Sequence, residues 1–291
     1  MSKGAKDAKS FFSTAENFGG LLLDSSLIVT TNPLSLYNVK IVVCNDYIQV
    51  YELKNTKSRK NKNIEPICKE INNIKMIDTD NLKKGNSSNF QTIELKNIMR
   101  SKLQCQRLAK CNSREWKTFI TLTFAENITD IKFANKRFRY FIDKVQRKFK
   151  EFKYICIPEF QKRGAVHYHL LTNISIENSD LIYSQENNSK FKHIKYWIDG
   201  FTKVDTLEKD MKKIIGYISK YMTKDIDNRL YNRHRYFYSR NLDKPCVSYL
   251  DISNEKHQQF YKKMLGDRTL IYMNEYQNCY TDEKIVFKEF L

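Results

Sequence analysis

The residues best suited to chemistry lie in two short stretches. The first is Gly164-Ala165-Val166-His167-Tyr168-His169-Leu170-Leu171, an apolar run that reads as a strand. Successive side chains of a strand point to opposite faces, so His167 and His169 share one face while Val166, Tyr168 and Leu170 take the other. Two neighbouring imidazoles are a metal site in outline. Five histidines in 291 residues give roughly 0.09 His-x-His triplets by chance, so the pair alone suggests a site without deciding its use.

The second stretch is Tyr217-Ile-Ser-Lys220-Tyr221-Met-Thr-Lys224. A helix is expected from Leu207 to about Lys224, with Met211, Ile215, Ile218 and Met222 as its apolar face. Tyr217, Lys220, Tyr221 and Lys224 then project from the opposite side. A phenol with an ordinary pKa near 10 is a weak nucleophile at neutral pH, and an adjacent ammonium favours its reactive anion. The chain has 18 tyrosines, and packing or solvation explains most of them. Two phenols one turn apart, each followed by a lysine, are not required by packing.

The elements that position these residues can be read around them. Thr118–Phe124 is a β-branched and aromatic strand, and Ala134, Phe138, Phe141, Ile142, Val145 and Phe149 recur at helical spacing after it. Tyr154–Phe160 is a second strand, with Pro158 restricting its pairing. Lys162-Arg163-Gly164 suits a three-residue hairpin loop, with Gly164 available for the left-handed position. In that register Gln161 pairs with Ala165 and Glu159 lies opposite His167, which puts three potential ligands on one face. Residues 174–192 are polar and read as a loop, 194–204 as turn and strand, and Arg235–Ser239 as a fourth core strand.

From 118 to 239 the order is strand, helix, strand, strand, helix, strand. This is an α+β, ferredoxin-like split βαβ arrangement, with the first and third strands side by side in an antiparallel sheet. The histidines are then expected centrally, beside Thr121 and Thr123. Before this core, Val39–Val43 and Tyr47–Tyr51 flank an Asn45-Asp46 turn as a hairpin. Lys54–Lys62 has no apolar residue and reads as a solvated loop or a DNA-contacting arm. Lys83–Asn89 reads as a linker, and 91–110 as a helix. The expected organisation is an accessory segment over 1–90, a catalytic domain over 91–250 and a tail over 251–291.

The formal charge is +18, from 51 Lys and Arg against 33 Asp and Glu, which favours a polyanionic partner, nucleic acid first. Arg229, Arg233, Arg235 and Arg240 interleave with Tyr231, Tyr236, Phe237 and Tyr238, a mixture suited to phosphate contact and base stacking on single-stranded DNA. One strand cannot offer all of these on one face, so some of the aromatics belong to the core. No apolar run approaches the roughly 18 residues that span a bilayer, and no signal-peptide core follows the N-terminus; no membrane partner is expected. The seven cysteines are odd in number and never spaced C-x-x-C, which fits a reducing, cytoplasmic compartment and no thiolate metal site. No G-x-x-x-x-G-K-[ST] occurs, so a helicase would have to come from elsewhere.

Phe119-Ile-Thr-Leu-Thr-Phe124, His167-Tyr-His169 and Tyr217–Lys224, in this order, resemble motifs I, II and III of rolling-circle replication initiators in the HUH endonuclease superfamily. The two tyrosines are most similar to initiators of single-stranded DNA phages and related plasmid and transposon proteins. The resemblance implies the HUH endonuclease fold and metal-dependent nicking of a single-stranded DNA origin through a 5′-phosphotyrosine, with a free 3′-hydroxyl that primes a polymerase. It implies Mg²⁺ or Mn²⁺ as cofactor, His167 and His169 as ligands and Glu159 as the third, with Gln161 in reserve. Tyr217 and Tyr221 become the nucleophiles, supported by Lys220 and Lys224. A transposase or a relaxase shares this chemistry. A non-catalytic DNA-binding regulator on the same fold has no use for the tyrosine and histidine set, and a hydrolytic metalloenzyme leaves the tyrosines unexplained.

Overall fold

The strand Val166–Thr172 lies inside a seven-stranded antiparallel sheet. The computed structural model describes residues 34–60, 87–185, 188–207, 213–216, 234–277 and 283–291. These fall into two compact units, one drawn from residues 75–244 and the other from 1–74 with 245–291. The chain is α+β, with antiparallel sheets and few helices. Among the described residues no helix is long and apolar enough to cross a membrane.

In the unit from 75–244, helix α1 (Ser87–Cys111) precedes β3 (Thr118–Phe124), α2 (Ile131–Lys148), β4 (Tyr154–Phe160), β5 (Val166–Thr172), β6 (Ile182–Gln185), β7 (Asn188–Ile194), β8 (Gly200–Thr206) and the two-residue β9 (Phe237–Tyr238). The sheet order is β6-β7-β8-β3-β5-β4-β9. Strand β5 therefore lies between β3 and β4, the two strands that α2 connects, and this is the split βαβ core expected from the sequence.

Helix α2 forms where its apolar period predicts. Asp130 caps it by accepting a hydrogen bond from Lys132 N at 2.8 Å, and Ile131, Ala134, Phe138, Phe141, Ile142 and Val145 are buried. They pack on Ile120, Leu122, Tyr168 and Leu170, which face this side of the sheet. Tyr168 is fully buried, stacked 4.5 Å from the Phe138 ring, and its hydroxyl donates to Asn135 Oδ1 at 2.7 Å.

Three expectations are corrected here. The fourth core strand is β8, paired with β3 from Thr118↔Thr206 to Phe124↔Gly200, and Arg235–Ser239 is not its equivalent. Only Phe237 and Tyr238 form a strand there, on β4 at the opposite edge. The place beside β3 goes to β8, which offers seven ladder partners. The polar stretch 174–192 is not all loop, because β6 and β7 pair as a hairpin within it; backbone ladders form without apolar side chains when an existing sheet edge is available. The helix expected over 207–224 is described only at 213–216, which is helical.

The other unit is a five-stranded sheet in the order β10-β1-β2-β12-β11, with β1 (Leu34–Cys44), β2 (Tyr47–Lys60), β10 (Cys246–Leu250), β11 (Leu270–Gln277) and β12 (Lys284–Phe290). The Asn45-Asp46 turn closes the β1–β2 hairpin as expected, with Asn45 at φ 54°. Helix α3 (Glu255–Leu265) packs Met264, Phe260 and Leu265 against Val39, Ile41, Ile48 and Val50. The basic run from Lys54 continues β2 through Lys60, paired with Leu34–Tyr37, so it is neither loop nor free arm up to that residue. Residues from both ends of the chain thus share one sheet, across the stretches 1–90 and 251–291.

Candidate functional site

The sheet register builds the site. Glu159 pairs with His167 and Ile157 with His169 across β4 and β5, while Thr123 pairs with His167 and Thr121 with His169 across β5 and β3. Directly opposed residues of an antiparallel ladder share a face. The loop that sets this register is the one read from the sequence: Gln161 N donates to Ala165 O at 2.8 Å, Gly164 N donates to Gln161 O at 2.7 Å, and Gly164 takes φ 89°. His167, His169 and Glu159 therefore stand on one face, away from α2.

Extended to β8, the same register gives two rows across the sheet. One is Phe201, Thr123, His167 and Glu159; the next is Lys203, Thr121, His169 and Ile157. The following positions, Phe119, Leu171 and Ile155, end the polar part of the face. There Ile155, Ile157 and Leu171 join Cys105, Leu108, Ala109, Trp116, Ile214 and Leu242 in a second apolar cluster. One end of the face is thus capped by α1 and the helical residues 213–216, and the histidines sit at the polar end.

His169 is held from both nitrogens. Its Nε2 hydrogen-bonds Glu159 Oε2 at 2.6 Å, and Thr121 Oγ1 lies 3.4 Å from its Nδ1. The Phe119 ring stacks on it at 5.8 Å. The His167 ring centroid is 6.4 Å from that of His169, and both histidines are buried. The Glu159 carboxylate thus reaches diagonally to His169 although its backbone partner is His167. Among the described residues no three His, Cys, Asp or Glu side chains converge as a closed ligand group; the three form a line across the face. Two imidazoles and a carboxylate are nonetheless donors that divalent cations accept, and their common face fits one.

The tyrosines packed in this unit are unsuited to nucleophilic work. Burial pushes the phenols of Tyr154, Tyr168 and Tyr236 well above their ordinary value. Burial raises the thiols of Cys105 and Cys156 in the same way, and among the described residues the cysteines are free.

Tyr217, Lys220, Tyr221, Lys224, Arg229 and Arg233 lie outside the described residues. Arg240 is exposed and Arg235 half-buried, with burial lowering the pKa of the Arg235 guanidinium. Phe237 packs towards Phe138 at 5.9 Å in the core under α2, whereas Tyr236 and Tyr238 stack on each other at 5.8 Å. The expected division of these aromatics between core and surface holds at Phe237. Sequence reasoning did not find Phe201 and Lys203 as part of the histidine face. Their alternation with the buried Thr202 and Val204 marks a strand, but its neighbour is set by pairing.

With this geometry established, the comparison with known proteins is informative. Residues 117–226 match the family model described as replication-associated protein ORF2. This region is similar to replication proteins. The matched span begins one residue before β3 and contains His167, His169, Glu159 and the Tyr217–Lys224 stretch. The phasyl DNA replicon protein arp of Escherichia coli is 30% identical over 130 residues, 38% of this chain and 44% of that protein. The chain thus spans a little under half the length of that relative. No solved structure matches the chain.

Proposed function

We propose that the chain is a replication initiator of the HUH endonuclease type, a site-specific DNA nickase that cuts and rejoins a single-stranded origin through a phosphotyrosine. The observation that carries the reading is the single sheet face shared by His167, His169 and Glu159, inside a span that matches a replication-associated family and also includes Tyr217 and Tyr221. A supporting point is that Ile214 is buried among Ile155, Ile157 and Leu171 on that face, with Tyr217 three residues on in the chain.

In the proposed reaction a tyrosine oxygen attacks the phosphorus. An O–P bond to Tyr217 or Tyr221 forms, the bond to the 3′ oxygen breaks, and that oxygen takes a proton and leaves as a 3′-hydroxyl. The 5′-phosphate stays on the tyrosine. Lys220 and Lys224 favour the phenolate and hold the anionic phosphate. His167, His169 and Glu159 would hold Mg²⁺ or Mn²⁺, which supplies charge compensation at a non-bridging phosphate oxygen. The hydrogen bond to Glu159 and the Phe119 ring orient His169 for this task. With two tyrosines, one covalent end is retained while the other residue cleaves again. The 3′-hydroxyl serves a DNA polymerase, and a separate helicase opens the duplex.

The test is incubation of the full chain with labelled single-stranded origin DNA and Mn²⁺ or Mg²⁺. A covalent adduct that survives denaturation is expected, lost with EDTA and with the double Tyr217→Phe, Tyr221→Phe change. Origin DNA that is bound but never linked would refute nicking and favour the DNA-binding regulator.

A further inference from the structure

Across β8 the histidine face carries two side chains that the proposed chemistry does not use. Phe201 is 69% exposed, an unusual placement for a phenylalanine in a central strand, and it stands in the same row as Thr123, His167 and Glu159. Lys203 is the next residue on that face, in the row of Thr121 and His169. Its ammonium is 2.8 Å from Asp205, with both side chains about half exposed. A ring with one open π surface and a cation two positions along the strand are the two components of a single-stranded nucleic-acid platform: stacking for a base, charge for a phosphate.

The start of β8 is fixed in place. Gly200 lies hard against β3, where a Cβ would be 2.2 Å from Thr123 O and 2.3 Å from Ala125 N. Ala125 N donates to Asp199 O at 2.9 Å, and the Asp199 carboxylate pairs with Arg137 of α2 at 2.7 Å. Trp197 Nε1 donates to Thr123 O at 3.1 Å. The residue that follows Gly200 is therefore presented from a rigid corner, as a preorganised contact requires.

We infer that Phe201 stacks on a base of the single-stranded DNA near the cleaved phosphate, and that Lys203 contacts the phosphate beside it, so that β8 is the strand-positioning edge of the site. The inference rests on the nicking reading for which phosphate is meant. Phe201 is two strands from His167, about 10 Å at the usual strand spacing. That is the reach of about three stacked nucleotides at roughly 3.4 Å each. Phe201 acts on the position of the DNA and takes no part in bond making.

The experiment measures binding of a labelled single-stranded oligonucleotide to the full chain in EDTA, so that no cleavage intervenes. Phe201→Ala is expected to weaken binding roughly tenfold, which is about 1.4 kcal/mol. Phe201→Trp should retain affinity, and Phe201→Leu, which keeps apolar bulk but no ring, should behave like Ala. Abasic sites placed through the oligonucleotide should cost the wild-type chain a similar factor and cost Phe201→Ala no more. Lys203→Ala should lower the salt slope by about the 0.7 expected for one phosphate of a single strand. Thermal melting of each variant should match wild type, since both side chains are exposed. An Ala variant within about twofold of wild type, or one weakened equally on intact and abasic DNA, overturns the platform. Adduct formation alongside Phe201-independent binding refutes the platform alone. Phe201-dependent binding without any adduct refutes nicking alone.

Discussion

Replacing Gly200 with Ala tests the register on which the whole candidate site depends. An added Cβ would meet Thr123 O at 2.2 Å, Ala125 N at 2.3 Å and Phe124 C at 2.7 Å. All three are backbone atoms of β3 or its end, so no side chain can rotate away, and relief requires a shift of roughly 1 Å between the strands. Overpacking of this kind costs about 1–3 kcal/mol. The Ala125 N to Asp199 O bond at 2.9 Å lies at the same point, and its loss adds about 1 kcal/mol. The expected total of about 2–4 kcal/mol corresponds to a fall in Tm of about 5–15 °C for a unit of this size. Calorimetry of the Gly200→Ala chain measures it. Gly216, which has nothing within 4 Å of an added Cβ and lies in the helical residues 213–216, is the control. Ala there should stabilise by about 0.5–1 kcal/mol through reduced backbone entropy. A Gly200→Ala protein melting within about 2 °C of wild type would show that β8 does not approach β3 this closely, and the rows linking Phe201 and Lys203 to the histidines would fall with it.

Two further outcomes follow from the buried tyrosines. Tyr168→Phe removes the 2.7 Å hydrogen bond to Asn135 and leaves the amide oxygen short of a donor, costing about 1–3 kcal/mol in denaturant unfolding. Because the hydroxyl lies on the α2 side of the sheet, adduct formation at saturating DNA should be unchanged. Tyr154, Tyr168, Tyr236 and Tyr261 all have phenols raised above the ordinary value by burial, with Tyr261 also hydrogen-bonded to Glu52. A raised folded-state pKa means that the unfolded chain releases these protons first. Their contribution to stability is therefore complete below about pH 10 and declines as pH rises beyond it towards the folded-state values. Melting temperature measured against pH should fall above about 10, with tyrosinate absorbance appearing together with unfolding; ionisation in a still-folded chain would contradict the burial.

What the amino-acid sequence determined by itself is local. The face shared by His167 and His169 follows from the two-residue period of a strand, and the place of Glu159 beside them follows from a loop short enough to leave one register. The apolar stripe of α2 follows from its 3.6-residue period in the same way. The match of residues 117–226 to a replication-associated family agrees with the motif reading over that span. Pairing between distant strands was decided only by the tertiary structure. β8 and Arg235–Ser239 look alike as short aromatic segments, yet β8 lies beside β3 and Phe237–Tyr238 lie beside β4. β1 and β10 meet although some two hundred residues separate Val39 from Leu250. Such contacts depend on which sheet edge is open once the rest has formed, and no periodicity within a segment encodes that. For the same reason Phe201 and Lys203 entered the site only through the ladder: strand alternation says which of their neighbours are buried, and only the partner strand says that they face the histidines.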